Sequence, residues 1–238
     1  MEHMDHTPNT DTTMPINPAA HVALLQLVSP SLPTGAFSYS QGLEWAIEQD
    51  WVHDSTSLAT WLKESLHGPL AKVDLPILMR MAEAYHKRDS AALSHWCKTL
   101  LACRETFELR EEEINRGKAM CSLLKGLDLL PEWVEPSLLE QSQLAGFVCA
   151  TVSWQVDIET AATGYCWSWL ENQVLAGIKT IPLGQTEGQR ILMKLRTHIA
   201  PVVKSAIQIQ DEQIGSSSPA LAMASSLHET QYTRLYRS

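Results

Sequence analysis

The sequence predicts an all-α protein, a single-domain helical bundle of about nine or ten helices. Apolar residues return every third or fourth position in stretch after stretch, as in Leu58, Trp61, Leu62, Leu66 and Leu70, the spacing that lines one face of a helix. Asn, Asp or Ser opens several of these stretches, offering side-chain caps to the amides that have no partner in a first turn. Sustained apolar–polar alternation bounded by hairpin turns is absent, and no long segment repeats another.

Residues 1–17 (M-E-H-M-D-H-T-P-N-T-D-T-T-M-P-I-N) lack periodicity and read as a disordered arm. His3 and His6 on it are a weak metal signal, since two histidines on a polar arm form no ligand motif. Asn17-Pro18 supplies a cap and a first-turn proline for a short helix through Leu24, Leu25 and Leu27, stopped by Pro30. After a loop rich in proline and glycine, Leu43, Ala46 and Ile47 mark a second helix, and Asp54 caps a third that carries Leu58 to Leu70. Leu75, Leu78, Met79, Ala82 and Tyr85 continue the rhythm, and Asp89-Ser90 restarts it for Leu93, Trp96 and Leu100.

Residues 104–118 (R-E-T-F-E-L-R-E-E-E-I-N-R-G-K) carry the densest charge and read as a solvated helix face. Arg104–Glu108 and Glu112–Arg116 would be i,i+4 pairs within it. Pro136 opens a helix running toward Trp154, and Asp157 caps a longer one through Ile178. Ile181-Pro182-Leu183-Gly184 breaks the pattern, and helix resumes from Gln185 with a kink at Pro201. The resulting organisation is a disordered arm at 1–17, a helical domain at 18–214 and a C-terminal docking tail at 215–238.

Composition narrows the function classes. A formal charge of −9 with no basic stripe argues against binding nucleic acid. The longest apolar stretch, Leu144 to Leu170, is interrupted by Gln155, Asp157 and Glu159, so it reads as two buried helices and not as a membrane span. Five cysteines without a C-x-x-C pair read as buried free thiols of a reducing, cytoplasmic compartment. Eight tryptophans against three phenylalanines suit helix packing and protein interfaces.

Catalytic patterns fail on context. Ser38-Tyr39-Ser40-Gln41-Gly42 is one substitution from a G-x-S-x-G nucleophile elbow, but no strand precedes it, and a helix-capping role for Ser38 or Ser40 fits better. Gly184 to Gln189 lacks the G-K-[ST] of a phosphate cradle. Glu108, Glu111, Glu112 and Glu113 have no E-x-x-H element to complete a carboxylate metal site. The end of the chain stands out instead: Tyr232, Leu235 and Tyr236 interleave with Arg234 and Arg237, residue types enriched where partners dock. Composition leaves open whether this tail meets a partner or packs on its own domain.

Four segments resemble the UreF-type urease accessory proteins: L-L-Q-L-V-S-P-S-L-P-T-G-A-F-S-Y-S-Q-G-L-E, C-R-E-T-F-E-L-R-E-E-E-I-N-R-G, W-L-E-N-Q-V-L-A-G-I-K-T-I-P-L-G-Q-T-E-G-Q and H-E-T-Q-Y-T-R-L-Y-R-S. Their order spans about residues 22–238. The opening loop departs slightly, with Thr34 and Ala36 where an aliphatic residue and a second glycine are common. The resemblance implies an all-α homodimer without catalytic activity. It implies a bridge between a UreD/UreH-type accessory protein and a UreG-type GTPase on apo-urease, which regulates the GTPase and promotes nickel insertion. No cofactor would be bound tightly, and nickel would pass through the complex. Carried over by motif, the implied partner-binding residues are Tyr39, Lys179, Glu229, Tyr232 and Arg234. The competing readings are a small helical serine hydrolase using Ser40 and a generic helical adaptor unrelated to nickel.

Overall fold

The computed structural model describes residues 17–238, and no strand occurs among them. The expected arm, with His3 and His6, lies outside the described residues except for Asn17. That residue caps α1 (Pro18–Leu27), its side chain accepting the Ala19 amide at 3.0 Å. Helices α2 (Leu43–Glu48), α3 (Ser55–Ser65), α4 (Leu75–Lys87) and α5 (Ser90–Ala102) follow. The long α6 (Phe107–Gly126) leads to α7 (Pro136–Leu139), α8 (Gln143–Ser153) and α9 (Ile158–Thr180). The chain closes with α10 (Gln185–Leu195), α11 (Ile199–Ile207) and α12 (Pro219–His228). Two joins are continuous, α3 to α4 through a π-helical stretch and α10 to α11 through a 3₁₀ turn, so these twelve segments make ten rods.

Both joins trace to proline. Pro69 lies inside the π-helical stretch Leu66–Asp74, where its missing N–H favours a wider turn over a broken one. Pro76 leaves the Lys72 carbonyl without its α-type donor, and the Gly215 amide takes that place at 3.1 Å. The expected kink at Pro201 falls one turn earlier, as the 3₁₀ turn Arg196–His198, because a proline ring crowds the carbonyl four residues before it. One boundary differs from the sequence reading: the helix from Pro136 toward Trp154 is two, α7 and α8, and Ser142 caps the second through the Ala145 amide at 3.2 Å.

Helix α9 runs against α2, α3, α4, α10 and α11, with Ala161, Ala162, Cys166, Leu170 and Val174 buried. Residues 143–151 of α8 are buried on every side, as expected of a helix enclosed by others. Here α6 closes on the α7–α8 turn at Gly117, where a Cβ would stand 2.8 Å from the Glu140 carbonyl oxygen. Cys97, Cys121, Cys149 and Cys166 are buried free thiols, Cys103 is half-buried, and burial pushes the Cys97 thiol up to about 12. No described helix is long and apolar enough to cross a membrane.

The charged segment corrects an expectation. Glu108, Glu112 and Glu113 are buried, not solvated. Glu112 does pair with Arg116 at 2.7 Å, but Arg104 reaches Asp74 and Glu113 instead of Glu108. The reason is local: α6 starts at Phe107, so Arg104 precedes the helix and the i,i+4 geometry does not apply to it.

Candidate functional site

Glu44 organises the end of the chain. In the first turn of α2 it is 5% exposed, yet its carboxylate accepts the Leu235 amide at 2.7 Å, the Tyr236 amide at 3.0 Å and His228 Nε2 at 3.1 Å. From α6, Glu108 approaches His228 Nδ1 at 2.7 Å and accepts from Arg234 at 2.6 Å. The fully buried His228 ring thus stands with one nitrogen against each carboxylate, and hydrogen-bond partners of this kind are what let polar groups persist in a protein interior.

The 38–42 loop holds the last residues. The Arg237 amide donates to the Ser38 carbonyl at 2.8 Å, and the Ser40 amide donates to the Ser238 carbonyl at 2.8 Å. The Ser40 hydroxyl donates to the same carbonyl, and its oxygen accepts the Glu44 amide at 3.3 Å. Ser40 therefore serves the start of α2 and the tail, and among the described residues no imidazole is one of its hydrogen-bond partners. That is the capping role expected of it. Gln41 donates to both Glu112 oxygens and accepts from the Trp169 indole at 2.8 Å. Gly42 lets α12 pass close overhead: its φ is +81°, and a Cβ there would meet the Ser225 amide nitrogen at 2.7 Å.

Beneath this layer lies a cavity of about 90 Å³ whose wall includes Tyr39, Asp74, Glu112, Glu113, Arg116 and Tyr165, room for a few waters. Its carboxylates are engaged. Burial raises the Asp74 carboxyl more than Arg104 lowers it. Burial also acts on Glu113, but Arg104 and the Leu144 amide outweigh it and hold that group below its usual range. Arg116 and Gln41 occupy Glu112. Among the described residues, no group of three or more His, Cys, Asp or Glu side chains gathers for a metal ion.

The implied site residues divide. Arg234 and Glu229 join the tail network, with Glu229 accepting the Phe107 amide at the start of α6, 3.1 Å away. Tyr39 is buried between the two loop residues that hold the tail. Tyr232 is wholly exposed, and Leu235 is 72% exposed. Phe107, Met223 and Leu227 are exposed apolar residues on the adjoining α6 and α12. Lys179 takes part in none of these networks and is exposed in the last turn of α9. The sequence reading missed Glu44, Glu108 and His228. Glu44 and His228 stand inside the Q-G-L-E and H-E-T-Q motifs, but their partners lie 120 or more residues apart.

These features define a class: a helical scaffold that fixes its own C-terminal backbone from below and turns aromatic and aliphatic side chains outward. The UreF family model matches residues 52–196. The urease accessory protein UreF of Alcanivorax borkumensis is 46% identical over 229 residues, covering 94% of this chain and all of the relative. Those of Alkalilimnicola ehrlichii and Pseudomonas putida strain W619 are each 46% identical, covering 90% and 92% of this chain and 94% and 98% of their own. The chain belongs to the UreF family of urease accessory proteins, which are not enzymes.

Proposed function

We propose that this chain acts in urease maturation as the subunit that bridges a UreD/UreH-type protein and a UreG-type GTPase on apo-urease, regulating the GTPase as nickel is inserted. The observation that carries the reading is the division of labour in the tail. Its backbone amides are fixed by Glu44, Ser38 and Ser40, while Tyr232 and Leu235 find no cover on their own domain. Large exposed apolar groups over a rigid base suit a partner surface, because ordering costs are met before binding.

The tail face is the surface for the UreD/UreH-type partner, with Arg234 and Glu229 setting its shape. Lys179, outside the tail networks, is the contact for the GTPase. Nickel is cargo of the assembly and not a resident of this chain, consistent with carboxylates already occupied by arginines and Gln41. The working form is a homodimer in the cytoplasm.

The test is co-expression with both partners and apo-urease. Tyr232→Ala with Leu235→Ala is expected to lose the UreD/UreH-type protein and urease activation. Lys179→Ala is expected to keep that partner and weaken the GTPase. Loss of both partners from either variant contradicts the assignment of two surfaces.

A further inference from the structure

Away from the tail, two histidines meet that the docking account does not use. His67 in the π-helical stretch and His198 in the 3₁₀ turn are 131 residues apart in sequence, yet His67 Nε2 and His198 Nδ1 stand 3.1 Å apart. Their ring centroids are 5.2 Å apart and their planes are nearly perpendicular, at 84°. Both side chains project from departures from regular α-helix, and such departures often accompany functional sites. His67 is exposed and His198 half-buried, so the pair is open to solvent on one side.

We propose that His67 Nε2 and His198 Nδ1 form an exchangeable two-imidazole site for a divalent late first-row transition cation, with water completing the coordination. Two nitrogens each about 2.1 Å from one ion at a right angle lie about 3.0 Å apart, close to the spacing here. Imidazole nitrogen selects ions such as nickel, copper or zinc over magnesium and calcium, which take oxygen. Without an ion, one N–H···N hydrogen bond joins the rings. To bind, His67 carries its proton on Nδ1 and His198 on Nε2, a change of tautomer that releases no net proton. Burial, then His67, Lys63 and Lys194, hold the His198 ring below its usual pKa, which favours the neutral ligand form. The same lysines repel a dication, so the site exchanges its ion and does not retain it. This inference stands independently of the docking reading.

Nickel(II) is the probe, titrated calorimetrically into the untagged full chain carrying His3→Ala and His6→Ala, so that the N-terminal histidines contribute nothing. One binding event is expected, weakened at least about tenfold by either His67→Gln or His198→Gln and absent with both. In the unmodified chain, nickel is expected to broaden the ring-proton resonances of His67 and His198 before those of His53, His86 or His95. Binding that survives both substitutions overturns the site. So does an absence of heat and of selective broadening at millimolar nickel, which would leave the pair as a hydrogen bond only.

Discussion

Glu44→Ala strips the acceptor from two amides and one imidazole nitrogen, and each orphaned buried donor costs about 1–3 kcal/mol. The expected result is a lower melting temperature and rapid proteolysis of residues 229–238 while α3 to α11 stay protected, measured by limited proteolysis with mass mapping. Arg104→Ala leaves Asp74 and Glu113 facing each other without their shared cation, a loss of about 3–5 kcal/mol that chemical denaturation would read. His198 adds a pH dependence. Its folded pKa lies below the ordinary 6.5, so the folded state binds fewer protons than the unfolded one in that window. Its contribution is complete above 6.5 and falls away as the pH drops. His198→Gln is expected to flatten the stability profile between neutral and mildly acidic pH. At this scale the sequence was only partly readable. Glu112–Arg116 follows from one helix's spacing, whereas the partners of Glu108 and Arg104 come from other elements that no local pattern reveals.

The helices were more legible than their joins. Asn17, Asp54, Asp89 and Asp157 all cap the helices that local reasoning assigned to them, because a cap and the amides it serves lie within a few residues. The break before α8 was hidden, since it depends on Gly117 letting the 140–142 turn approach α6. The loop before α2 reads as a turn from its glycines, but only α12 lying across it explains why residue 42 must lack a side chain. Gly42→Ala combines a left-handed backbone, costing about 1–2 kcal/mol, with a Cβ 2.7 Å from the Ser225 nitrogen. It is expected to lift α12 from α2 and release the tail, visible as faster amide exchange throughout residues 219–238. Gly184→Ala, which meets nothing within 4 Å, is the matched control and should leave exchange there unchanged.

The molecule as a whole is a helical core with a C-terminal segment returned to its surface. Composition could not decide between a tail that packs and a tail that docks, and the structure shows which of its side chains are buried and which stay exposed. His228, Tyr236 and Ser238 turn in, and Tyr232 and Leu235 turn out. Deleting the tail would therefore confuse lost packing with lost docking, whereas substituting the outward residues alone would not. Tyr232→Asp with Leu235→Asp, purified and shown to melt as the parent does, gives the most direct measurement: co-purification with a UreD/UreH-type protein from cells expressing both. The account predicts that the folded double variant no longer carries the partner through purification and no longer supports urease activation. A variant that retains both at parental levels would contradict the docking surface placed here.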